Sequence, residues 1–365
     1  MDLLSILIPF ATAGVVTALA TPIVSRLARA FEVVDHPSER KVNRRPNIPL
    51  LGGIAVALGF FVGLATAILL STGLPVGGHV EGLLLGGVLL VGVGVFDDRF
   101  TLTALPKFAV QFLAAGIAIY YGFVISHFTD PLTHTSQPIP IVLSWIVTSL
   151  WIVGVTNAMN LIDGLDGLCS GIAAIIGATL TLICWQLSVP VGVILGAAFV
   201  GSLLGFLPFN FPPARIFLGD TGALFIGYVL SLLALEGYAK VTLLTFVVPL
   251  LALAVPIIDT GLSILRRLRR RSTPFSADRQ HMHHRLLESE GSQRSAVLSL
   301  YFLTVCFCVI ALSFTKLEGI ASILFLVAVI ALTYRLLRNL GLFDTPPDES
   351  AGTEGPAGAG GRGHP

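Results

Sequence analysis

The chain has 365 residues, 54% of them hydrophobic and only 12% charged, with a mean hydropathy of +0.87 and a formal net charge of +1. A soluble domain is roughly a quarter charged, so this composition excludes an ordinary soluble protein and predicts an all-α, polytopic integral membrane protein. The net charge selects no partner class, and no nucleic-acid partner is expected.

A membrane-spanning helix needs about 20 mostly apolar residues. On that measure about eleven spans are predicted, near 3–25, 50–71, 81–97, 104–122, 140–157, 167–187, 190–208, 221–238, 241–265, 295–314 and 319–337. The first, from Leu3 to Val24, lacks a basic leader and a small-residue cleavage site, and reads as a retained helix rather than a signal peptide. Glycines such as Gly86, Gly87, Gly92, Gly94, Gly201 and Gly205 are expected to let helices pack closely in lipid. Cys169, Cys184, Cys306 and Cys308 lie in predicted spans without metal-like spacing and read as small buried hydrophobes.

Basic residues assign the two sides. The even-numbered turns hold only Lys240 and Lys316. The odd-numbered turns collect Arg26, Arg29, Arg40, Lys41, Arg44, Arg45, Arg99, Arg215 and the crowded stretch from Arg266 to Arg294. Basic loops stay in the cytoplasm, so the amino end is predicted outside and the carboxyl end inside. The domain reading is a multi-span membrane unit over 1–342 and a disordered cytoplasmic tail over 343–365, whose Pro, Gly and Ala cannot bury a core.

With sides assigned, every unusual polar cluster falls on the cytoplasmic face: Asp35–Asn47, Asp97–Asp98, Asn157–Asp166, Asn210–Asp220, and Asp259 with Asp278–His284. A transporter would place its polar site near the bilayer midplane, between broken helices. One-sided clustering suits an enzyme better.

The adjacent carboxylates Asp97 and Asp98 repel each other unless a cation or divalent metal sits between them. The plain alternative is a span-ending loop with Arg99 as ion-pair partner. Lys107 and Gln111 then share one face of the fourth span, where the lysine can snorkel or meet a phosphate. Two acids followed by a positioned lysine suit a phosphate-plus-magnesium site, because magnesium takes hard oxygen ligands, often one or two carboxylates plus substrate phosphates. The segment Asn157–Gly167, NAMNLIDGLDG, places Asn160, Asp163 and Asp166 three apart, on one face if helical. Its glycines instead suggest an open backbone that a ligand can approach.

Asn210–Gly222, NFPPARIFLGDTG, breaks the chain at Pro212 and Pro213 and sets Asp220 near the start of the eighth span. There it is either a helix N-cap with Thr221 or part of a diphosphate site at a helix N-terminus. Asp259, deep in the ninth span, is a functional candidate or the structural partner of a basic residue. The arginines at 266–271 read mainly as an inner-leaflet anchor. His281, His283 and His284 lack zinc-like spacing with helper ligands. They are expected to contact phosphate or sugar.

From about residue 35 to 290, these five motifs in this order resemble the polyprenyl-phosphate N-acetylhexosamine-1-phosphate transferases of the glycosyltransferase family 4 type. The resemblance implies attack by a lipid phosphate on the β-phosphate of a UDP-sugar, with release of UMP and formation of a lipid diphosphate sugar. It also implies a magnesium requirement, with manganese as a substitute. Carried over by motif, Asp97 is the base or orienter of the lipid phosphate, Asp98 its acidic neighbour and a metal ligand, and Asp220 the principal magnesium ligand. Lys107 contacts phosphate. Asn157, Asn160, Asp163, Gly164, Leu165 and Asp166 form the segment that holds the uridine, with its two acids in the catalytic set. Phe217 stacks on uracil, and Asn210 lies near the diphosphate. His281, His283 and His284, with Arg279, serve the sugar and phosphate end.

Met282 interrupts the histidines and Arg215 follows Pro213-Ala214, and both features resemble the N-acetylglucosamine branch. The expected partners are UDP-N-acetylhexosamine, polyprenyl (undecaprenyl) phosphate and the bilayer, with a homodimer left open. The expected location is the plasma (inner) membrane, with the active site on the cytoplasmic face, at the first membrane step of an envelope glycopolymer. Two alternatives stand beside it: a phospho-N-acetylmuramoyl-pentapeptide transferase and a non-catalytic lipid or ion transporter.

Overall fold

The computed structural model describes residues 2–35, 47–70, 78–129, 136–236, 243–269, 281–315 and 319–339. The expected tail over 343–365 and Arg279 lie outside the described residues. The chain divides into two units, Met1–Ser322 and Ile323–Pro365.

The first unit is a helical bundle. It contains α1 (Leu3–Ala30), α2 (Gly52–Leu69), α3 (His79–Phe100), α4 (Ala104–Tyr120), α5 (Ile141–Ile162), α6 (Leu168–Gln186) and α7 (Pro190–Asn210). It continues with α8 (Gly219–Glu236), α9 (Leu243–Ala252), α10 (Ala254–Arg269), α11 (Met282–Glu290) and α12 (Gln293–Phe314). The second unit holds the greater part of α13 (Gly319–Asn339). Two short antiparallel pairs complete the picture: β1 (Val34–Asp35) with β2 (Ile48–Pro49), and β3 (His127–Thr129) with β4 (Ser136–Pro138). Among the described residues, eight helices are long and apolar enough to cross a membrane: α1 to α3, α5 to α8, and α12. Helices fit this role because every backbone polar group is satisfied within the segment.

Two findings depart from the expected spans. The ninth is not continuous: α9 stops at Ala252 and α10 begins at Ala254. Pro249 and Pro256, each lacking an N–H, flank that break. After the basic run a short helix, α11, appears where no element was expected. Its apolar content is too low for a hydropathy ruler to register.

Lipid offers no hydrophobic drive between helices, so contact quality decides packing. At the α1–α7 crossing, a Cβ on Gly201 would stand 2.1 Å from the Phe10 carbonyl, and one on Gly205 2.3 Å from that of Gly14. The two backbones touch, so glycine is obligatory. Gly86 does similar work by admitting the Tyr228 ring, whose hydroxyl donates to the Gly82 carbonyl at 2.9 Å. Gly92, by contrast, faces no described atom within 4 Å and makes no such contact. The cysteines are free, with Cys169, Cys184 and Cys308 buried.

The core sits around α8, which is buried along its length from Thr221 to Glu236. Its amino-terminal end, together with the C-terminal ends of α3, α5 and α7, opens on one cleft. That convergence follows from antiparallel neighbours joined by short connections.

Candidate active site

A cleft of about 510 Å³ opens at this end of the bundle, lined among others by Asp97, Asp98, Lys107, Asp163, Phe217 and Asp220. Gly164, Leu165, Asp166, Asn210 and His284 also reach it. Clusters more than 100 residues apart in sequence thus meet at one place.

Each cluster arrives by a local rule. α3 ends at Phe100, and its C-cap Thr101, at a positive φ of 50°, turns the chain three residues after Asp98. α4 starts at Ala104 and presents Lys107 in its first turn. α5 ends at Ile162, so Asn160 is helical while Asp163 and Asp166 lie in the following loop. Gly167, at φ 73°, then launches α6. Of the two arrangements expected, a shared helical face or an open backbone at the glycines, the second holds for Asp163 and Asp166, with Asn160 still helical. α8 begins at Gly219, where φ is +74° and a Cβ would fall 2.4 Å from an Asp98 oxygen.

Lys107 is the hub. Its Nζ lies 2.7 Å from Asp97 Oδ2 and 2.9 Å from Asp220 Oδ2. Asn160 Nδ2 donates to the other Asp220 oxygen at 2.9 Å. Thus α3, α4, α5 and α8 are tied together by one ammonium and one carboxylate.

The acids divide into two groups. Several are committed to backbone N–H groups. Asp98 accepts from the Asp220 N–H at 2.8 Å, the Thr221 N–H at 3.2 Å and the Thr221 hydroxyl at 2.6 Å. It supplies the N-terminal cap of α8 from another helix, satisfying donors that a helix start leaves open. Asp97 Oδ1 accepts the Leu102 N–H at 2.6 Å. Asp166 Oδ2 accepts the Ala214 N–H at 2.8 Å. Asn210 accepts from Ser170 Oγ at 2.7 Å and donates to the Ile216 carbonyl at 3.0 Å. Asp166 and Asn210 therefore hold the loop that carries Phe217. That loop is further fixed where the Phe217 N–H meets the Pro49 carbonyl and its carbonyl accepts from Gly52. Asp166 and Asn210 both line the cleft, and the polar atoms named here hold structural partners.

Asp163 belongs to the other group. No described residue donates to its carboxylate. Burial first, then the charges of Asp220, Asp98 and Asp166, push it well above the usual carboxylate range. Lys107 bridges Asp97 and Asp220 while Asp98 and Asp163 line the same cleft, an excess of negative charge that suits a further cation. Among the described residues no three His, Cys, Asp or Glu side chains can hold a metal by themselves. Magnesium usually completes its shell with substrate phosphate and water. Asp98, expected as a ligand, has its oxygens engaged in the α8 cap.

The three histidines separate. His284 lines the cleft. His283 is 2% exposed, and a Cβ on Gly164 would lie 2.2 Å from its Nε2, so it backs the Asp163 loop. Burial, then the neighbouring His284, lowers its pKa to about 3. His283 does not line the cleft, where contact with phosphate or sugar was expected of it. His281 pairs with Asp259 at 3.0 Å. Asn157 does not line the cleft; it donates to Gln111 Oε1 and to the Val153 carbonyl, locking α5 to α4. Asp35, Thr101 and Gln293 line the cleft without having been singled out. Asp35 stood within a polar cluster that a closer reading could have weighed, whereas Thr101 and Gln293 carry no sequence signal.

The profile of Glycosyl transferase family 4 matches residues 80–238. A Bacillus subtilis protein described as a probable undecaprenyl-phosphate N-acetylglucosaminyl 1-phosphate transferase is 36% identical, over 85% of this chain and 85% of its own. The Mycolicibacterium smegmatis decaprenyl-phosphate N-acetylglucosaminephosphotransferase is 33% identical, over 80% of this chain and 77% of its own. The Escherichia coli undecaprenyl-phosphate alpha-N-acetylglucosaminyl 1-phosphate transferase is 26% identical, over 81% and 80%.

Proposed function

The chain belongs to glycosyl transferase family 4, as a polyprenyl-phosphate N-acetylglucosamine-1-phosphate transferase, and on that footing we propose that it transfers GlcNAc-1-phosphate from UDP-GlcNAc to undecaprenyl phosphate at the cytoplasmic face of the plasma membrane. The observation that carries this reading is the Lys107 bridge between Asp97 and Asp220, beside an Asp163 that no described residue neutralises.

An oxygen of the lipid phosphate attacks the β-phosphorus of UDP-GlcNAc, one P–O bond forms in line, and the P–O bond to UMP breaks. A phosphate monoester has a second pKa of about 6, so the nucleophile is already largely ionised at neutral pH and needs no strong base. Asp97, with one oxygen on the Leu102 N–H and the other toward Lys107, orients the lysine rather than removing a proton. Lys107 offsets phosphate charge. Phe217 offers a ring for the uracil, and His284 faces the same cleft. Magnesium, held by Asp163 and Asp220 with Asn160 steadying the latter, would neutralise the diphosphate. Catalysis is then mainly positioning and charge stabilisation.

The test is UMP release by the purified protein with undecaprenyl phosphate, magnesium and a panel of UDP-sugars. Release with UDP-GlcNAc supports the proposal. Release only with UDP-muramoyl-pentapeptide moves the chain to the sibling reaction. Flux across proteoliposomes without any UMP release would refute the transferase reading.

A further inference from the structure

We infer that Asp259 is a positioning residue that builds the start of α11 and so delivers His284 to the cleft. The inference rests on the transferase reading above, but on different residues.

Asp259 lies within α10 and is 2% exposed. A carboxylate so buried needs partners. It has two, both across the chain segment that follows α10. Its Oδ2 is 3.0 Å from His281 Nδ1, and its Oδ1 accepts the Met282 N–H at 2.7 Å. The second contact is a helix cap. His281 is the N-cap of α11, with extended backbone at φ −60° and ψ 152°, but it makes no side-chain cap bond of its own. Asp259 supplies from α10 the acceptor that the local sequence lacks. The first contact fixes the ring: a carboxylate on Nδ1 selects the tautomer whose Nε2 carries the free lone pair.

What this anchor holds is specific. The His281 carbonyl accepts the His284 N–H at 3.0 Å, which starts the first turn of α11. The His281 and His283 rings stack with centroids 5.5 Å apart and planes at 10°, and His283 and His284 lie 4.4 Å apart. His283 abuts Gly164, next to Asp163, and His284 enters the cleft. A buried carboxylate in one helix is thereby linked, through two histidines, to a third that faces substrate.

The experiment compares wild type with Asp259→Asn, Asp259→Glu, His284→Ala and the double variant Asp259→Asn/His284→Ala. It reads kcat and KM for UMP release, UMP affinity and thermal midpoint. Asparagine keeps an acceptor for Met282 but turns a donor toward His281, so the helix start persists while the ring is misdirected. Expected is a loss of kcat on the order of 10- to 100-fold for Asp259→Asn, the range for a partner that orients an active group. Asp259→Glu should recover part of that loss. The double variant should be no worse than His284→Ala alone, because both act through one side chain. Losses that multiply, or an Asp259→Asn enzyme with wild-type kcat, would overturn the inference. So would a lowered thermal midpoint with kcat intact, which marks a purely structural carboxylate. An inactive wild type sinks the transferase reading instead. Should Asp259→Asn not fold, Asp259→Glu and its double with His284→Ala carry the same comparison.

Discussion

The antiparallel helices α3 and α8 end twice in a polar contact, and the two ends are built for different purposes. At one end, His79 Nδ1 meets Glu236 Oε1 at 2.5 Å, and the imidazole stacks on Phe123 with centroids 4.4 Å apart. One group faces one partner, and an aromatic ring closes the side. At the other end, Asp98 caps α8, but Asp97, Asp163 and Asp220 crowd the same place with Lys107 as their cation. Close approach through glycine serves both ends alike: Gly86 admits Tyr228, and a Cβ on Gly94 would lie 2.3 Å from Thr221. The pairing of charge, rather than the packing, separates a clasp from a site. Where every charge is matched the contact stabilises; where negative charge exceeds its partners a ligand is called for.

The largest effects should come from the unmatched end. Asp220→Asn and Asp163→Asn are each expected to lower turnover by a hundredfold or more, on the order of losing one preorganised charge contact. Turnover of the purified, folded variants checks this, and near-normal rates would erase the contrast. Chelation of divalent cations should abolish UMP release, and magnesium should restore it. It should also raise the thermal midpoint of wild type while leaving that of Asp163→Asn almost unmoved, since only a ligand bound by the native state stabilises it. Asp166→Ala should act more weakly, about tenfold on turnover, because it displaces Phe217 through the Ala214 loop rather than removing a contact to substrate.

These magnitudes depend on a distinction that the sequence could not make. Hydropathy located most of the helices, because lipid imposes length and apolarity on each span separately. Chemistry-bearing positions were also legible: Asp97, Asp98, Lys107, Asp163, Phe217, Asp220 and His284 all line one cleft. Their division of labour was not. Whether a carboxylate binds a ligand or caps a helix depends on a backbone N–H more than 100 residues away, as for Asp98 and Thr221. Asp166 with the Ala214 N–H and Asp259 with the Met282 N–H are likewise committed to backbone donors outside their own motif. Three histidines in four residues likewise looked equivalent, yet the first turn of α11 sends one into the cleft and one behind Gly164.

The matched end should behave in the opposite way. Glu236→Gln removes the buried charge from a part-exposed pair but keeps an acceptor, so turnover should stay within about twofold of wild type while the thermal midpoint falls by a few degrees, roughly the effect of 1 kcal/mol. A large loss of turnover would show that the far end communicates with the cleft and that the two ends are not separable.

The smallest expected effect tests the packing side of the cleft itself. His283 has its pKa lowered to about 3, so between there and its ordinary value near 6.5 the unfolded chain binds a proton that the folded chain does not. Stability must then rise with pH across that window, and fall as the medium is acidified below about 6.5. At pH 5.5, one unit below the ordinary value, the penalty is about 1.4 kcal/mol. His283→Gln cannot titrate, so its midpoint should change less than that of wild type between pH 7 and 5.5, whatever the cost of the substitution itself. Parallel pH dependence in the two proteins would mean that His283 is protonated in the native state. It would then carry a positive charge beside Asp163, the charge excess that separates the two ends would shrink, and the case for a bound cation would weaken with it.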